Sequence, residues 1–412
     1  MGKLREKVLS QFKNYYVCIQ TRTMEEQFKH VLLTQNHHLL RSKIRDFAEN
    51  EIRPVAAELD ERGLFSNELT KKIGQLGLLG INLPEKYGGK NLDTLSYIIA
   101  VEELARIDSS QAATVAAHNS LGIDPIFKYG TEEQKNKYLP LLTGGNYLWA
   151  FGLTEPNAGS DAKATETTGV LKENNWIING TKIFITNSAS DLSLGTTLQL
   201  VTNNNKGKKE ISTILVDRSS PGYYCERISN KMVWRAADTG KLIFTDCKVP
   251  KDNLLGKLGD GLHLMLETLN SGRLSIAAMG LGLAQGAFEL ALKYAHHRQQ
   301  FGQPIFKFQA IAFKLAEMDM KIQLARNYLY HCCWLKDNKH PFSKEAAIAK
   351  LYTSEIAKEV ADEALQIHGA YGLFKNNEIE RFYRDQRILQ IGEGTSEILK
   401  LVISKSLEIK KT

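Results

Sequence analysis

The sequence predicts an α+β protein that is mostly α, with a β domain placed between two helical domains. Three observations support this prediction. Apolar residues recur at helical spacing up to about residue 142, form β-branched runs from about residue 147, and return to helical spacing after Pro250. The 412 residues also exceed the size of one typical domain. We expect a helical domain over 24–146, a β barrel or sandwich over 147–255 and a four-helix bundle over 256–412.

The first helical domain contains a helix with one apolar face and a proline. Its apolar residues recur at helical spacing: Ile44, Phe47, Ala48, Ile52 and Leu59. Pro54 lacks the amide donor and its ring clashes with the preceding turn, so it is expected to kink or divide this helix. Further on, Thr131 and Gln134 have the spacing of a capping box, which predicts a short helix towards Pro140.

The middle part contains segments with the composition of strands. In residues 176–186, two β-branched and aromatic runs flank Asn179 and Gly180, which predicts a hairpin with its two-residue turn at these positions. Residues 211–216 and 241–244 predict further strands, separated by loops rich in glycine, asparagine and serine. These segments together predict the β domain.

The last part predicts long helices over about 261–297, 309–336 and 344–368, the last ending at Gly369 as a C-cap. Helices of this length pack as a bundle. Residues 280–286 contain three glycines, as a dinucleotide-binding loop does. Such a loop follows a strand, whereas the preceding residues here are helical, so we interpret these glycines as sites of close helix packing.

Composition and charge exclude several classes of protein. With 43% hydrophobic and 24% charged residues, the chain has the composition of a globular protein. The net charge is +7, and residues 1–23 hold five basic residues against Glu6 alone, so we interpret them as a solvated N-terminal extension. The remainder is nearly neutral and no apolar run reaches membrane-spanning length. We expect neither a nucleic-acid partner nor a membrane.

Cysteine usage indicates a reducing compartment and no metal site. The five cysteines include no CxxC pair. We predict a cytoplasmic protein, with the mitochondrial matrix as the alternative if residues 1–23 form a transit peptide. His331, Cys332 and Cys333 are consecutive, and consecutive side chains on a helix point about 100° apart, so they cannot converge on one ion.

The composition of two segments indicates a binding or catalytic role rather than packing alone. Residues 151–161 are crowded with Gly, Pro, Asn and hydroxyl residues, which is typical of a loop whose backbone amides face an anion or a polar ring. Within residues 383–398, Glu393 lies between Gly392 and Gly394, which is costly inside a helix. A carboxylate presented with free space beside it is suited to act as a general base.

Six runs of residues along 24–408 together resemble one enzyme family. They are residues 83–89, 154–161, 179–186, 298–302, 366–370 and 383–398. In order and spacing they are similar to the acyl-CoA dehydrogenases, which are FAD flavoproteins. The resemblance implies that family's order of helical, β and helical domains, which the periodicity also predicts.

The resemblance implies FAD as the cofactor. The residues that match contacts to the isoalloxazine ring are Phe151, Leu153, Thr154, Gly159, Ser160, Phe184, Ile185 and Thr186. Of these, Thr154 and Thr186 are implied to supply hydrogen bonds. The residues that match contacts to the ribityl and ADP portions are Arg298, Phe301, Gln309, Gln366, Ile367, His368, Gly369, Ala370, Thr395, Ser396 and Glu397. Several such contacts cross a subunit interface in family members, which implies a homotetramer built as a dimer of dimers.

The resemblance also implies an acyl-CoA substrate and Glu393 as the catalytic base. The residues that match positions near the CoA thioester and pantetheine are Ser160, Asn270, Ser271, Gly272, Arg273 and Gly394. In the family the base removes the α-proton, the β-hydrogen leaves as hydride to flavin N5, and a trans-2-enoyl-CoA forms. An electron-transferring flavoprotein then accepts the electrons. Because the ordinary pKa of glutamate is about 4.3, the site is expected to raise it by burial.

Residues outside these runs bear on substrate length. Residues 118–121 with 125–126, and residues 335–342 with 344–347, resemble the short-chain branch of the family and favour substrates such as butyryl-CoA. Gly392 stands where many relatives carry Tyr, which thins the pocket wall and is expected to broaden the preference rather than move its optimum.

Two further positions differ from the family's usual residues, and two alternative functions stay open. Phe184 stands where Trp is usual, and Asn270 where Asp is common. Some branches place the base near position 272, but this chain has Gly272 there. One alternative is an oxidase or monooxygenase of the same fold that passes electrons to O₂. The other is a non-catalytic scaffold that keeps the fold and FAD.

Overall fold

The computed structural model describes residues 30–205 and 208–408, which form helices, then strands, then helices. This order confirms the predicted fold class, while the exact domain limits stay a prediction. The proposed extension over 1–23 lies outside the described residues. The helices of the first part are α1 (Gln35–Phe47), α2 (Arg53–Arg62), α3 (Asn67–Gln75), α4 (Thr94–Ala105), α5 (Ser109–Ala117), α6 (Asp124–Tyr129) and α7 (Glu132–Leu142).

Two local predictions for the first part are confirmed. A π-helical turn over Ala48–Ile52 separates α1 from α2 just before Pro54, because proline cannot continue the hydrogen-bond pattern of the helix. Thr131 and Gln134 form the capping box of α7. The Thr131 hydroxyl accepts from the Gln134 amide at 3.2 Å, and the Gln134 side chain accepts from the Thr131 amide at 3.0 Å.

The middle part is one eight-stranded sheet. Its strands are β1 (Leu148–Gly152), β2 (Thr168–Lys172), β3 (Asn175–Thr186), β4 (Ser193–Asn205), β5 (Lys208–Asp217), β6 (Tyr223–Arg227), β7 (Thr239–Pro250) and β8 (Leu254–Leu255). The order is β6-β7-β3-β2-β4-β5-β8, with β1 parallel to β4. β2 and β4 meet only at Thr168 and Val201, so the sheet has two halves, and their inward-facing residues share one apolar cluster.

The predicted hairpin turn at Asn179 and Gly180 is wrong. β3 runs through both residues and pairs with β2 and with β7 along its length, with an irregular register at Gly180. The chain reverses earlier, at Glu173, whose φ is 53°. Gly180 does not form a turn but allows Thr167 to pack closely against β3. A Cβ at Gly180 would lie 2.5 Å from the Thr167 hydroxyl and 2.7 Å from the Thr167 Cα.

The last part forms the predicted helical bundle. Its elements are α8 (Gly261–His297), the paired strands β9 (Gln299–Gln300) and β10 (Gln303–Pro304), α9 (Gln309–Asp337), α10 (Ser343–His368), α11 (Ile379–Asp385) and α12 (Ser396–Lys405). The predicted end of α10 is confirmed by Gly369, whose φ of 58° stops the helix.

The 37-residue helix α8 lies at the centre of the fold and packs against α10, α4 and β5. A Cβ on Gly282 would lie 2.1 Å from the Glu102 carbonyl oxygen, and one on Gly286 would lie 2.1 Å from that of Arg106. These contacts confirm the glycines as sites of close packing. Among the described residues, α8 alone has the length and apolar composition to cross a membrane, but 78% of that apolar window is buried inside the fold.

Candidate active site

Glu393 lies on a turn between a short 3₁₀ helix, Gln386–Gln390, and α12. Its φ is 52° and that of Gly394 is 102°, so two consecutive residues adopt the region that glycine favours. For a non-glycine residue such a conformation costs on the order of 1–3 kcal/mol and persists only where the surroundings enforce it. The carboxylate is therefore held in a strained turn outside any helix.

Two side chains of α10 hold the backbone on either side of Glu393. Lys350 Nζ donates to the carbonyl oxygen of Gly394 at 2.7 Å, and Ser354 Oγ donates to that of Leu389 at 2.9 Å. The two donors are four residues apart and so lie on the same face of the helix. This face of α10 fixes the strained turn.

Glu355 of α10 joins the two ends of the same segment. Its carboxylate accepts from Gln390 Nε2 at 2.8 Å and from Ser396 Oγ at 3.0 Å. The neighbouring Thr395 is the N-cap of α12, and Glu397 is exposed. Of the three residues matched to FAD here, Ser396 is thus already engaged inside the protein.

Gly272 of α8 leaves the space in which the Glu393 carboxylate lies. A Cβ at this position would be 2.1 Å from Glu393 Oε2 and 3.1 Å from Leu121 Cδ2. Nonbonded carbon atoms prefer separations of about 3.5–4.0 Å, so a larger residue cannot share the site with the carboxylate. The glycine at 272 and the glutamate at 393 are therefore complementary.

The Glu393 carboxylate is desolvated at its tip. Its Oε2 is buried and has no hydrogen-bond partner among the described residues. Burial raises the pKa of Glu393 to about 7, although the positive charges of Lys350 and Arg273 act in the opposite direction. A carboxyl group with a pKa near neutrality can accept a proton at physiological pH.

The predicted substrate contacts on α8 face in different directions. Asn270 Oδ1 accepts from Arg273 Nη1 at 2.7 Å. Burial lowers the pKa of Arg273, while the charge of Glu393 acts to raise it. Ser271 instead lines a cavity of about 210 Å³ and accepts from Lys128 at 3.4 Å. Asn270 and Arg273 therefore form one polar group near Glu393, and Ser271 does not join it.

A layer of hydroxyl groups fills the space between α4 and α8 near Glu393. Ser120 Oγ and Ser275 Oγ are 3.3 Å apart. The Tyr97 hydroxyl faces both serines and lies within electrostatic reach of Glu393. All three side chains are buried. Tyr97 and Ser120 also line the cavity of about 210 Å³ that Ser271 contacts.

The polar loop over 151–161 is held by a buried ion pair. Lys182 Nζ lies 2.7 Å from Glu155 Oε1, and it donates to the carbonyl of Leu153 at 3.0 Å and to Thr165 Oγ1 at 3.1 Å. Glu155 also accepts from two backbone amides at 2.6 and 3.0 Å. Burial opposes ionisation, but the charge of Lys182 outweighs it and lowers the pKa of Glu155 to about 2. Burial lowers the pKa of Lys182 to about 8, so both groups are charged at neutral pH.

The surface above this loop fits a flat polar ring. The Ile183 amide donates to the Thr154 carbonyl at 2.9 Å, which brings β3 against the loop beside Thr186. Phe184 is 65% exposed and has a φ of 63°. A large exposed aromatic side chain on a strained backbone is typical of a ligand clamp. A Cβ on Gly159 would meet nothing within 4 Å, so the loop backbone is open. These residues therefore fit the isoalloxazine ring of FAD.

The side chains matched to the ring do not all face this surface. Phe151 and Ile185 are buried in the apolar clusters, and Leu153 and Thr154 are half-buried. Gly159 and Ser160 are exposed. The side chains of Phe151 and Ile185 therefore pack in the core beneath this surface and do not face it.

The residues matched to the ADP portion form a second group. The Arg298 guanidinium lies 5.4 Å from the centre of the Tyr371 ring, and the Tyr294 and His368 rings stack at 4.4 Å. These contacts join the end of α8 to the end of α10. Phe301 is 93% exposed. Also exposed are Gln309, Gln366, Gly369 and Ala370, whereas Ile367 and His368 are buried.

The residues matched to the ADP portion lie far from the Glu393 turn within the chain. His368 follows Lys350 by 18 residues on α10, which corresponds to about 27 Å at a rise of about 1.5 Å per residue. Lys350 contacts the Glu393 turn, and His368 lies among the second group. The structure therefore places the predicted residues in separate groups, at the Glu393 turn, at the loop over 151–161 with β3, and at the ends of α8 and α10.

Sequence reasoning missed the residues that support the site. Lys350, Ser354 and the pair of Glu155 and Lys182 were not among the predicted functional residues. A signal for Lys350 exists, since it lies one helical turn after Ala346 on the buried face of α10. A lysine among small and apolar residues at helical spacing is seldom buried without a specific partner.

Together the fold and the site define a flavin-dependent oxidoreductase. Residues 34–146 match the acyl-CoA dehydrogenase N-terminal domain, 150–247 the middle domain and 259–408 the C-terminal domain. The chain belongs to the acyl-CoA dehydrogenase family.

Several relatives are similar over nearly their whole length. The short-chain specific acyl-CoA dehydrogenase of Clostridium acetobutylicum is 43% identical, over 90% of this chain and 98% of that protein. The structure of butyryl-CoA dehydrogenase from Megasphaera elsdenii has a TM-score of 0.88 and is 39% identical, covering 92% of this chain and 100% of that chain. A structure described as the electron transferring flavoprotein of Acidaminococcus fermentans has a TM-score of 0.89 and is 42% identical, covering 92% and 99%. The predicted family, enzyme class and FAD cofactor are confirmed.

Proposed function

We propose that this enzyme oxidises short straight-chain acyl-CoA thioesters to trans-2-enoyl-CoA, with Glu393 as the acceptor of the α-proton. The carboxylate of Glu393 carries the proposal, because its Oε2 is buried and unpaired in the space that Gly272 leaves. Its pKa of about 7 suits proton abstraction near neutral pH. The relatives named short-chain specific and butyryl-CoA dehydrogenase support the substrate length.

Glu393 supplies both the base and a hydrogen-bond donor. Removing an α-proton from a thioester requires stabilisation of the enolate oxygen that forms. None of the described residues accepts a hydrogen bond from the Glu393 amide, which is therefore available to the thioester carbonyl. Asn270 and Arg273 lie close by and suit the polar pantetheine, and Leu121 contributes apolar surface for the acyl chain.

FAD, when bound, accepts the β-hydrogen with its bonding electron pair. We expect Phe184 to cover one face of the ring, and Thr154 and Thr186 to donate hydrogen bonds to it from their hydroxyl groups. The ion pair of Lys182 and Glu155 fixes the loop on which Thr154 lies. The chain thus orients the two reactants, and Glu393 moves the proton.

Replacing Glu393 with glutamine tests the base. The amide is nearly the same size but cannot accept the proton, so Glu393→Gln should retain FAD and lose flavin bleaching by butyryl-CoA in anaerobic stopped-flow experiments. Glu408→Gln, the same change at an exposed position, is the matched control. Bleaching by Glu393→Gln within about tenfold of wild type would show that another group takes the proton.

The buried hydroxyl groups of Tyr97, Ser120 and Ser275 support a short acyl chain. Polar groups on this side of the carboxylate gain little from a long tail, whereas each methylene that finds apolar surface gains about 0.8 kcal/mol. kcat/KM across a series of acyl-CoAs should peak at butyryl- or hexanoyl-CoA. A maximum at dodecanoyl-CoA or at isovaleryl-CoA would refute the short-chain preference but would leave the proposed role of Glu393 unchanged.

The electron acceptor is an electron-transferring flavoprotein. The similar structure described as such a flavoprotein supports this acceptor. Enzyme reduced by butyryl-CoA should be reoxidised rapidly by an electron-transferring flavoprotein and slowly by air. Rapid reoxidation by O₂ would favour an oxidase, and absence of bleaching by every acyl-CoA would favour a scaffold.

The enzyme assembles as a homotetramer, a dimer of dimers. Phe313, Met320 and Leu324 recur along α9 and are each more than half exposed, as on a helix that packs against another subunit. The separation of about 27 Å along α10 between the Glu393 turn and His368 further supports a cofactor site completed by a neighbouring subunit. Light scattering should give four times the chain mass of 46.3 kDa.

The compartment is proposed to be the cytoplasm. Relatives occur both in bacteria and in mitochondria, so the mitochondrial matrix is the alternative. Fusing residues 1–23 to a fluorescent reporter separates the two, because only a transit peptide directs the reporter to mitochondria.

A further inference from the structure

Lys350 lies next to the catalytic turn but takes no part in the chemistry proposed above. We infer that Lys350 is a positioning residue for Glu393: its ammonium group both fixes the backbone of the catalytic turn and places a positive charge near the carboxylate. The inference rests on the proposed role of Glu393 as the base. It assigns a function to a side chain outside the predicted site.

The geometry of Lys350 requires an explanation. Its side chain is 0% exposed, although burying an ammonium group is costly unless partners compensate. Among the described residues, Lys350 Nζ donates to the carbonyl of Gly394, at 2.7 Å. That carbonyl belongs to the residue directly after Glu393, where two consecutive φ values are positive. A lysine is thus buried at the point where the strained turn most needs a donor.

A neutral donor would suffice to hold one carbonyl. The charge of Lys350 becomes useful because the surroundings of Glu393 otherwise disfavour ionisation. Burial raises the pKa of Glu393, and Lys350 is the largest of the influences that lower it, followed by Arg273. Without the cation, the base would stay protonated over more of the neutral range and could not accept a proton.

Titratable groups reach this pair from four helices. Glu393 faces Lys350 of α10, Arg273 of α8 and the Tyr97 hydroxyl of α4. Lys350 itself is also influenced by Glu355 of α10 and Glu397 of α12. Burial lowers the pKa of Lys350 to about 8, so its charge is present where Glu393 titrates and is lost at alkaline pH.

The test is the pH dependence of flavin reduction per bound FAD. Lys350→Gln keeps a hydrogen-bond donor and removes the charge, whereas Lys350→Met removes both. An opposite charge close to a carboxylate lowers its pKa by about 1–3 units, so in both variants the acidic limb should move up by about one unit or more. At a pH below the wild-type limb this means about tenfold slower reduction or worse. At high pH the rate of Lys350→Gln should approach that of wild type.

Lys358→Met is the matched control. Lys358 is exposed on the same helix, eight residues or about 12 Å further along, so water should screen its charge and the profile should not move. Thermal unfolding and flavin content report on folding separately. A wild-type acidic limb in Lys350→Gln would overturn the electrostatic role. If neither Lys350 variant binds FAD or folds, the inference is overturned in favour of a purely structural lysine.

Glu393→Gln, measured alongside, separates this inference from the proposed function. If Glu393→Gln still bleaches, the base is misassigned and the proposed function fails. If Glu393→Gln is inactive while both Lys350 variants keep the wild-type pH profile, only the role of Lys350 fails.

Discussion

Replacing Gly272 with alanine should remove most of the activity while leaving the protein folded. The new Cβ would lie 2.1 Å from Glu393 Oε2, well inside the separation of about 3.5 Å at which nonbonded atoms attract. The carboxylate must therefore retreat by about 1 Å or more. A displacement of about 1 Å at a reacting group costs on the order of 100-fold in rate. We expect flavin reduction to slow by about this factor.

The stability of Gly272→Ala should not fall along with its activity. Alanine is favoured over glycine inside a helix by about 1 kcal/mol, and the group that must move is the end of a flexible side chain. Gly282→Ala is the contrasting variant in the same helix. Its Cβ would lie 2.1 Å from the Glu102 backbone carbonyl oxygen, which cannot retreat unless α4 moves. We expect Gly282→Ala to lower Tm and to keep its activity per bound flavin.

Two measurements distinguish these outcomes. Anaerobic stopped-flow bleaching by butyryl-CoA gives the rate per bound flavin, and thermal unfolding gives Tm. A rate for Gly272→Ala within about threefold of wild type would refute the claim that the carboxylate occupies this space. A fall in Tm as large as that of Gly282→Ala would refute the claim that only the side chain moves.

Three further changes have expected outcomes. Gly392→Tyr should fold, because the nearest atoms to its Cβ belong to Ile388 at 3.5 and 3.8 Å, and should narrow the acyl-CoA profile without abolishing activity. Arg298→Ala should lower FAD content and tetramer mass together; unchanged values of both would contradict an inter-subunit FAD contact. Burial, reinforced by Asp108, raises the pKa of Asp385 to about 7. The stability this contributes is full below pH 4 and lost as the pH rises to 7, so Asp385→Asn should flatten the free energy of unfolding across that range.

The features predicted correctly from sequence depend on local interactions. The capping box of Thr131 and Gln134 spans three residues, Pro54 divides a helix through its own ring, and Gly369 ends α10 through its own φ. Such features need no knowledge of the tertiary fold. The turn at Glu393 belongs to the same group, because the adjacent glycines mark it directly, while the catalytic role of Glu393 stays a prediction.

The features that were missed depend on distant contacts. Asn179 and Gly180 have the composition of a turn, but Thr167 packs against Gly180 and β3 continues through it. Lys350 donates to Gly394, 44 residues away, and this contact exists only because α10 packs beside the catalytic turn. Periodicity places a residue on a face of its helix but does not say what that face will meet.

The two candidate ligand-binding segments are held by the same type of contact, a lysine that donates to a backbone carbonyl. Lys182 donates to the carbonyl of Leu153 in the flavin loop, and Lys350 donates to the carbonyl of Gly394 in the catalytic turn. Both segments leave regular structure to present groups to ligands, so their carbonyls lose the partners that a helix or strand would supply, and an unpaired buried carbonyl costs about 1–3 kcal/mol. Lysine suits this role, because its long side chain reaches from a rigid helix or strand to a loop carbonyl that has no backbone donor. Both lysines are therefore expected where rigid elements support irregular backbone, and each brings a charge that acts on the carboxylate beside it.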